Sequence, residues 1–166
     1  MAFITGQGTQ HGPLLNFGVA TKRGTQSFSA STSLTAISGL SVTLTPQHAN
    51  NYLLILAQLT IGGTSATSMI ATLMLNGGEI TDFRGNADGS RIRCTSRTSQ
   101  DNNYEAHTVP LMGMWSPGST SAQTISVSAS ANGGTFYVNR SGTSNNDTSR
   151  DSSRPFSCIQ VFEFHS

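Results

Sequence analysis

The segment LSVTLTP, residues 40–46, indicates the fold class of this chain. Apolar and polar side chains alternate along it, which is the period-two pattern of a β-strand with one buried face. Proline cannot donate a hydrogen bond to a sheet, so Pro46 is predicted to end the strand. A turn at Asn50 and Asn51 then leads into YLLILA, residues 52–57. That run is apolar on both faces, as expected of a central strand that is covered on two sides.

The rest of the chain repeats this kind of pattern. Short runs rich in β-branched and aromatic residues are separated by Gly, Pro, Asn and Ser, and they predict strands at 69–75, 91–97, 104–115, 124–129, 136–138 and 156–164. Pro110 and Gly113 are expected to interrupt the run at 104–115. About eight to ten strands, with no convincing helical period, predict an all-β, antiparallel β-sandwich of jelly-roll type.

The first 24 residues differ from the remainder, so we expect two parts: an extended N-terminal arm, residues 1–24, and a β-sandwich domain, residues 25–166. Large apolar side chains in the arm are separated by glycines and would lie in water on a free tail. We therefore expect the arm to dock on a neighbouring subunit or a larger surface, the alternative being an arm folded back on its own domain. The apolar residues concerned include Phe3, Ile4, Leu14, Leu15 and Phe17.

Length and charge limit the function. A chain of 166 residues corresponds to one domain. Its net charge of +1, with 10% charged residues, argues against an electrostatic nucleic-acid binder. The longest strongly apolar run, residues 52–57, is far shorter than the roughly 20 residues of a membrane span. The N-terminus also lacks the pattern of a signal peptide. We therefore expect no nucleic-acid partner, no membrane partner and no classical secretion.

The sequence contains no recognisable catalytic or metal-binding motif. HExxH and CxxC spacings, a GxSxG elbow and a recognisably spaced carboxylate pair are all missing. We accordingly predict no catalytic residue, no cofactor and no metal, with a calcium ion at the Asn/Asp turns around Asp88 and Asp147 as the alternative. Cys94 and Cys158 are predicted to be buried free thiols, and a disulfide between them is the other reading.

Five further residues have two interpretations each. Arg91, Arg93 and Arg97 are predicted to share one strand and one face of it, because their spacing is even along the chain. That face is either solvated or forms contacts to a sister subunit or an acidic partner surface. Trp115 is predicted to fill the core, the alternative being a sugar-stacking platform. His107 is predicted to be a satisfied core histidine rather than a ligand.

Several of these segments, taken in order, resemble a β-sandwich domain common in virion proteins of tailed bacteriophages. The resemblance starts with LTAISGLSVTLTP (34–46) and YLLILA (52–57), which are similar to the family's GLSVTITP strand and the hydrophobic strand after it. It continues with SPG (116–118), the strand at 123–129 and GGTFYVNRS (133–141). It ends with IQVFEF (159–164), which resembles the family's terminal strand. About residues 25–164 are covered.

This resemblance implies a compact β-sandwich that assembles as a homotrimer, found at tail-fibre tips and as a free-standing protein on the capsid. We therefore expect a non-enzymatic capsid decoration (cement) protein that binds the major capsid protein on the outer capsid surface of the virion and is made in the host cytoplasm. Only 24 residues precede the expected domain, which favours the free-standing form. The arm residues and the three arginines are the candidates for docking to the capsid or a sister subunit.

Two other functions compete with this one. The first is a receptor-binding module in a tail fibre or knob, which would recognise host surface glycans through the loops at 97–104 and 141–154. The second is a glycan depolymerase, which would need a long groove and paired carboxylates, and for this the sequence offers little support.

Overall fold

The computed structural model describes residues 3–4, 10–11, 14–64, 66–143 and 148–166, the first two pairs by their backbone alone. Within these ranges the chain forms eleven strands and two short 310 helices, at Thr81–Phe83 and Arg150–Ser152. None of the helices described is long and apolar enough to cross a membrane. The strands are β1 (Phe3–Ile4), β2 (Gln10–His11), β3 (Leu14–Lys22), β4 (Gln26–Leu44), β5 (Tyr52–Gly63), β6 (Thr67–Leu75), β7 (Gly78–Glu79), β8 (Ser96–Gln100), β9 (Ala106–Trp115), β10 (Gln123–Val138) and β11 (Ser157–Phe164).

The eight longer strands form two antiparallel layers. The first layer has the order β3-β11-β5-β9 and the second the order β4-β10-β6-β8, with β7 as a short return strand on β6. Numbered along the chain, the first layer takes the first, eighth, third and sixth of these strands, and the second layer takes the second, seventh, fourth and fifth. This is the strand order of a jelly roll, so the predicted fold class is confirmed.

One strand joins the layers. β10 pairs with β4 and β6 along most of its length, and at its end Phe136, Tyr137 and Val138 pair with residues 61–63 of β5. Strands β3 to β11 are thus one continuous nine-stranded sheet that folds over on itself. The apolar side chains between the layers form a single buried cluster.

The core follows the alternation that the sequence displays. On β5 the odd-numbered residues Leu53, Ile55, Leu59 and Ile61 are fully buried, as are their counterparts on β10 and β11. Trp115 is partly buried and packs against the same cluster, which confirms its predicted place. Burying one face of each layer removes a large apolar area from water, the main favourable term in folding.

Two of the predicted strands are wrong in detail. The segment of Arg91 and Arg93 is irregular, and the strand begins only at Ser96, because the preceding residues are rich in turn-forming Asn, Asp and Gly. β9 is continuous through Pro110, where an interruption was expected. Since β9 lies at the edge of its layer and pairs only with β5 among the described strands, a residue without an N–H is tolerated there.

The second half of the predicted arm lies in the sandwich. Leu14–Lys22 forms β3, which pairs with β11 over eight residue pairs as the edge strand of the first layer. The side-chain amide of Asn139 donates to the carbonyl oxygens of Lys22 (2.8 Å) and Gly24 (3.0 Å), which holds the turn after β3. For residues 14–22 the structure therefore matches the alternative of a segment folded back on its own domain. Of residues 1–13, only the pairing of β1 with β2 is described.

A buried carboxylate fixes the opposite end of the first layer. Glu163 on β11 is fully buried, and its Oε1 accepts from the backbone N–H of Gln47 (2.7 Å) and from Nδ2 of Asn51 (2.6 Å). These bonds tie the turn between β4 and β5 to the last strand. Buried charged groups need such partners, because an unpaired one costs several kcal/mol.

We predict that Gly62→Ala destabilises the fold by about 1–3 kcal/mol, the usual range for overpacking. A Cβ at Gly62 would lie 2.6 Å from the carbonyl oxygen of Glu105 and 2.7 Å from that of Arg140, and neither backbone can move freely. The free energy of unfolding from urea titrations measures the effect. Gly24→Ala is the matched control, since nothing lies within 4 Å of its Cβ position. Equal stability of the two variants would contradict the prediction.

Candidate functional site

The outward side of the first layer is an exposed apolar surface, which we call the apolar face. Its side chains alternate with those of the core along β3, β11, β5 and β9. Five of its large apolar residues are exposed and two are half-buried. The seven are Phe17, Val19, Leu54, Leu56, Met112, Met114 and Phe162.

The strand register aligns these residues in rows. Phe17 lies opposite Phe162, Phe162 opposite Leu54, and Leu54 opposite Met114, so that one row crosses all four strands. The next row runs Val19, Gln160, Leu56 and Met112 by the same pairings. Directly opposed residues on neighbouring strands lie close enough for their side chains to touch.

No outward position on these four strands carries a charge. The charged residues Glu163 and Lys22 belong to the opposite set of positions, and the other outward residues are Leu15, Gly62 and residues of the types Thr, Gln, Cys, Pro, Ala, Tyr and Phe. With strands about 4.8 Å apart and about 3.3 Å per residue, the face covers roughly 400 Å². Exposed apolar patches of this size on soluble proteins commonly mark an interaction site.

The predicted arm residues border or join this face. Phe17 lies within it and is 63% exposed, Leu14 is 48% exposed at the start of β3, and Leu15 is half-buried. Phe3 and Ile4 belong to β1, where the backbone pairs Phe3 with His11 and Ile4 with Gln10, and their side chains lie outside the described part. Whether any of these residues dock on a partner stays a prediction.

The prediction that the three arginines share one strand is wrong, because only Arg97 lies on β8 and the other two lie in the loop before it. Arg91 pairs with Asp88 in the exposed loop, and Arg93 Nε donates to the carbonyl oxygen of Gly85 (2.5 Å). Arg97 lies on β8, where its guanidinium donates to Ser68 Oγ (2.9 Å). Arg91 and Arg97 line the same surface groove of about 320 Å³ on the second layer. Their predicted role in subunit or partner contacts is untested.

The described residues offer little catalytic chemistry. No group of three His, Cys, Asp or Glu side chains in that part of the chain is placed to hold a metal ion. His107 is half exposed, and its Nε2 lies 3.2 Å from Glu105 Oε2. The backbone N–H of Asp101, followed by the His107 side chain, lowers the pKa of Glu105. This exposed pair orders the turn at residues 101–105.

The two cysteines are free and half-buried. Cys158 lies on β11 in the first layer and Cys94 lies in the loop before β8. The two therefore form no disulfide, and the alternative interpretation is wrong. Cys94 lines the groove with Arg91 and Arg97. Partial burial raises the pKa of the Cys94 thiol, and the positive charge of Arg97 offsets part of that rise.

Sequence reasoning missed the apolar face. It expected the apolar run at 52–57 to be covered on both sides, and the structure covers only one side of it. The signal was present in two places, namely the outward Leu54 and Leu56 of that run and the alternating Met112 and Met114. Alternation alone cannot tell which apolar set will face the core.

No protein-family model matches this sequence, and no curated protein matches it. Solved structures with structural similarity include infectious bursal disease virus Gx strain, at 13% identity and a TM-score of 0.44, covering 94% of this chain and 42% of that chain. Others are T=1 particles derived from the same virus (13%, 0.44, 91% and 39%) and its VP2 subviral particle (13%, 0.39, 91% and 40%). This chain thus spans less than half the length of those chains. Similarity at this level assigns neither a family nor a function.

We predict that the Cys94 thiol titrates at a higher pH than the same thiol in urea-unfolded protein, because burial disfavours the thiolate. Arg97→Ala should raise that pH further, since the guanidinium stabilises the anion. The midpoint of the pH–rate profile for iodoacetamide alkylation measures this, in a Cys158→Ser background. Arg154→Ala, an exposed arginine outside the groove, is the control and should leave the midpoint unchanged. A midpoint that falls in Arg97→Ala would contradict the assignment.

Proposed function

We propose that this chain is a non-enzymatic structural protein of a virus particle, in which subunits associate through the apolar face. The observation that carries the proposal is this uncharged apolar surface, extending across four strands of one layer. The largest apolar patch of a soluble protein is often a functional contact surface, so we expect a specific partner to cover this one. The jelly-roll order of the strands is compatible with a building block, but the face supplies the argument.

A homotrimer fits the size of the face. Two copies meeting face to face would bury only about 800 Å² in total, below the usual size of a stable pair interface. In a closed ring each subunit makes two contacts, one with the face and one with a different surface, so more area is buried per subunit. The buried area favours a closed ring, and the sequence resemblance implies three subunits, so we propose a trimer in which the apolar faces are turned towards the neighbouring subunits.

The specific role we propose is that of a bacteriophage capsid decoration, or cement, protein on the outer surface of the head. The sequence resemblance to virion domains of tailed phages supports this role. The partner would be the major capsid protein, and synthesis would take place in the host cytoplasm. A bound trimer would stabilise the shell by mass action, because it binds the assembled lattice and not its separated subunits.

The N-terminal residues are the proposed contact with the shell. β3 pairs only with β11 among the described strands, so its other edge is open, and residues 1–13 precede it directly. This segment contains Phe3 and Ile4 but no Asp, Glu, Lys or Arg. An uncharged segment with large apolar side chains is suited to burial against a protein surface.

The alternative is a tail-fibre or knob module that recognises host surface glycans. The exposed groove beside Arg97 is the observation that favours it. Trp115, which was the proposed sugar-stacking residue, packs against the core instead. That placement weakens the version of this alternative that depends on Trp115.

We predict that Met112→Lys converts the trimer into folded monomers. Met112 is 64% exposed in the single chain, so a lysine there leaves the monomer intact but would bury an unpaired charge in the assembly. Sedimentation velocity measures the oligomeric state, and Ser41→Lys, on an exposed position of the second layer, is the control that should remain trimeric. A trimeric Met112→Lys variant, or a monomeric unmodified chain, would refute assembly through this face.

We further predict that the purified chain binds phage heads that lack it, and that deletion of residues 1–13 abolishes this binding while the trimer persists. The deletion leaves β3 in place, so the sandwich should remain folded. Co-sedimentation with heads measures binding, and cryo-microscopy of the whole particle locates the chain. Undiminished binding by the shortened chain would remove the role of the N-terminal segment. Density on the tail alone would favour the receptor-binding alternative.

A further inference from the structure

The groove of about 320 Å³ lies on the outward side of the second layer, where the loop before β8 crosses the sheet. It lies on the side of the sandwich opposite to the apolar face. The volume is at the lower end of the range for small-molecule sites, the size of one or two sugar rings. Its lining residues are contributed by β4, β6, β8, β10 and the loop.

The strand register builds the floor of the groove. Ser130 lies opposite Ile70, and Ile70 lies opposite Arg97, so a hydroxyl, an aliphatic side chain and a guanidinium follow one another across three strands. Asn132 continues the wall, and its Oδ1 accepts from the Ser68 N–H (3.0 Å) and the Thr67 hydroxyl (2.9 Å). These bonds hold the amide group in a fixed orientation.

The charge in the groove is concentrated on Arg97. Its guanidinium donates to Ser68 Oγ at 2.9 Å, and no carboxylate pairs with it among the described residues. Arg91 also lines the groove, but Asp88 pairs with it and balances its charge. A guanidinium has five N–H donors in a planar fork, so one hydrogen bond to a hydroxyl leaves donors for a planar anion such as a carboxylate.

The rest of the lining is a mixture of apolar and hydroxyl groups. Ile92 is 66% exposed and stands beside the arginines, and Ile70 forms part of the floor. Ser31 and Thr32 supply exposed hydroxyls on the β4 side. Sugars present the matching combination, since their C–H faces pack on aliphatic surfaces while their hydroxyls exchange hydrogen bonds with serine and threonine.

We propose that this groove binds an acidic sugar, with its carboxylate on Arg97 and its ring against Ile70 and Ile92. A peptide is the less suitable occupant, because the groove lies on the outward side of paired strands, where the backbone groups of β10 and β6 are already bonded to their neighbours and a peptide could not add as a further strand. The proposal specifies the ligand class for the glycan-binding alternative given above, and it does not depend on assembly through the apolar face.

Glucuronic acid and glucose are suitable probes, because they differ only in a carboxylate against a hydroxymethyl group. We expect glucuronic acid to bind with a Kd of about 1 mM, typical of a small ligand on an open site, and glucose to bind at least about tenfold more weakly. Chemical-shift titration of the purified chain measures both affinities and locates the shifted amides. Binding should shift residues of β6, β8 and the loop at 91–94.

Two variants test the assigned contacts. Arg97→Ala should weaken glucuronic acid binding about tenfold or more, the usual effect of losing a charge-assisted hydrogen bond. Ile92→Asp, at an exposed position, should do the same, because it replaces an apolar contact of the ring with a negative charge that repels the ligand carboxylate. Arg154→Ala is the matched control and should bind like the unmodified chain. Unchanged thermal unfolding of each variant shows that the fold is intact.

Three outcomes would overturn the proposal. One is equal affinity for glucose and glucuronic acid, and another is no binding of glucuronic acid at about 10 mM, ten times the expected Kd. The third is tighter binding of an acetylated dipeptide with a free carboxylate, which would assign the groove to peptide termini. Because the oligomeric state is measured separately, failure of the groove and failure of assembly through the apolar face can be told apart.

Discussion

β5 carries apolar side chains on both of its sides, and a two-layer sandwich can bury only one of them. Leu53, Ile55 and Leu59 fill the core, so Leu54 and Leu56 must point outwards. The partners β11, β9 and β3 extend this outward apolar set because the register aligns their own alternate residues with it. The exposed apolar rows that result are the observation from which the proposed assembly is argued.

The two layers differ in what they present to the surroundings. The outward positions of the second layer are rich in hydroxyl groups, and Thr43 and Thr124 hydrogen-bond to each other across β4 and β10 at 2.8 Å. A polar surface of this kind is stable in water without a partner. The molecule thus has one side suited to contact between subunits and another side, with the groove at Arg97, suited to solvent and small ligands.

Buried polar side chains determine which segments belong to the sandwich. Asn139 binds the carbonyls at the end of β3, and Ser157 Oγ donates to Asn139 Oδ1 at 2.6 Å. In the turn between β4 and β5, Glu163 accepts hydrogen bonds from the Gln47 N–H and the Asn51 side chain. Because a buried donor or acceptor without a partner is costly, the Asn139 contacts hold the end of β3 to the sandwich, and the Glu163 contacts hold the turn before β5 to the last strand.

The sequence alone predicts the all-β class, the end of β4 before Pro46 and the packing of Trp115 against the core. Alternation and the missing N–H of proline act over a few neighbouring residues, so a local pattern is enough to predict them. Three features could not be read in this way. They are the exposure of the outward apolar side of the first layer, the strand formed by residues 14–22, and the groove that Arg91 and Arg97 both line. Each depends on which strands pair and in which register, and pairing brings together residues that are far apart along the chain. A local pattern carries no information about such partners.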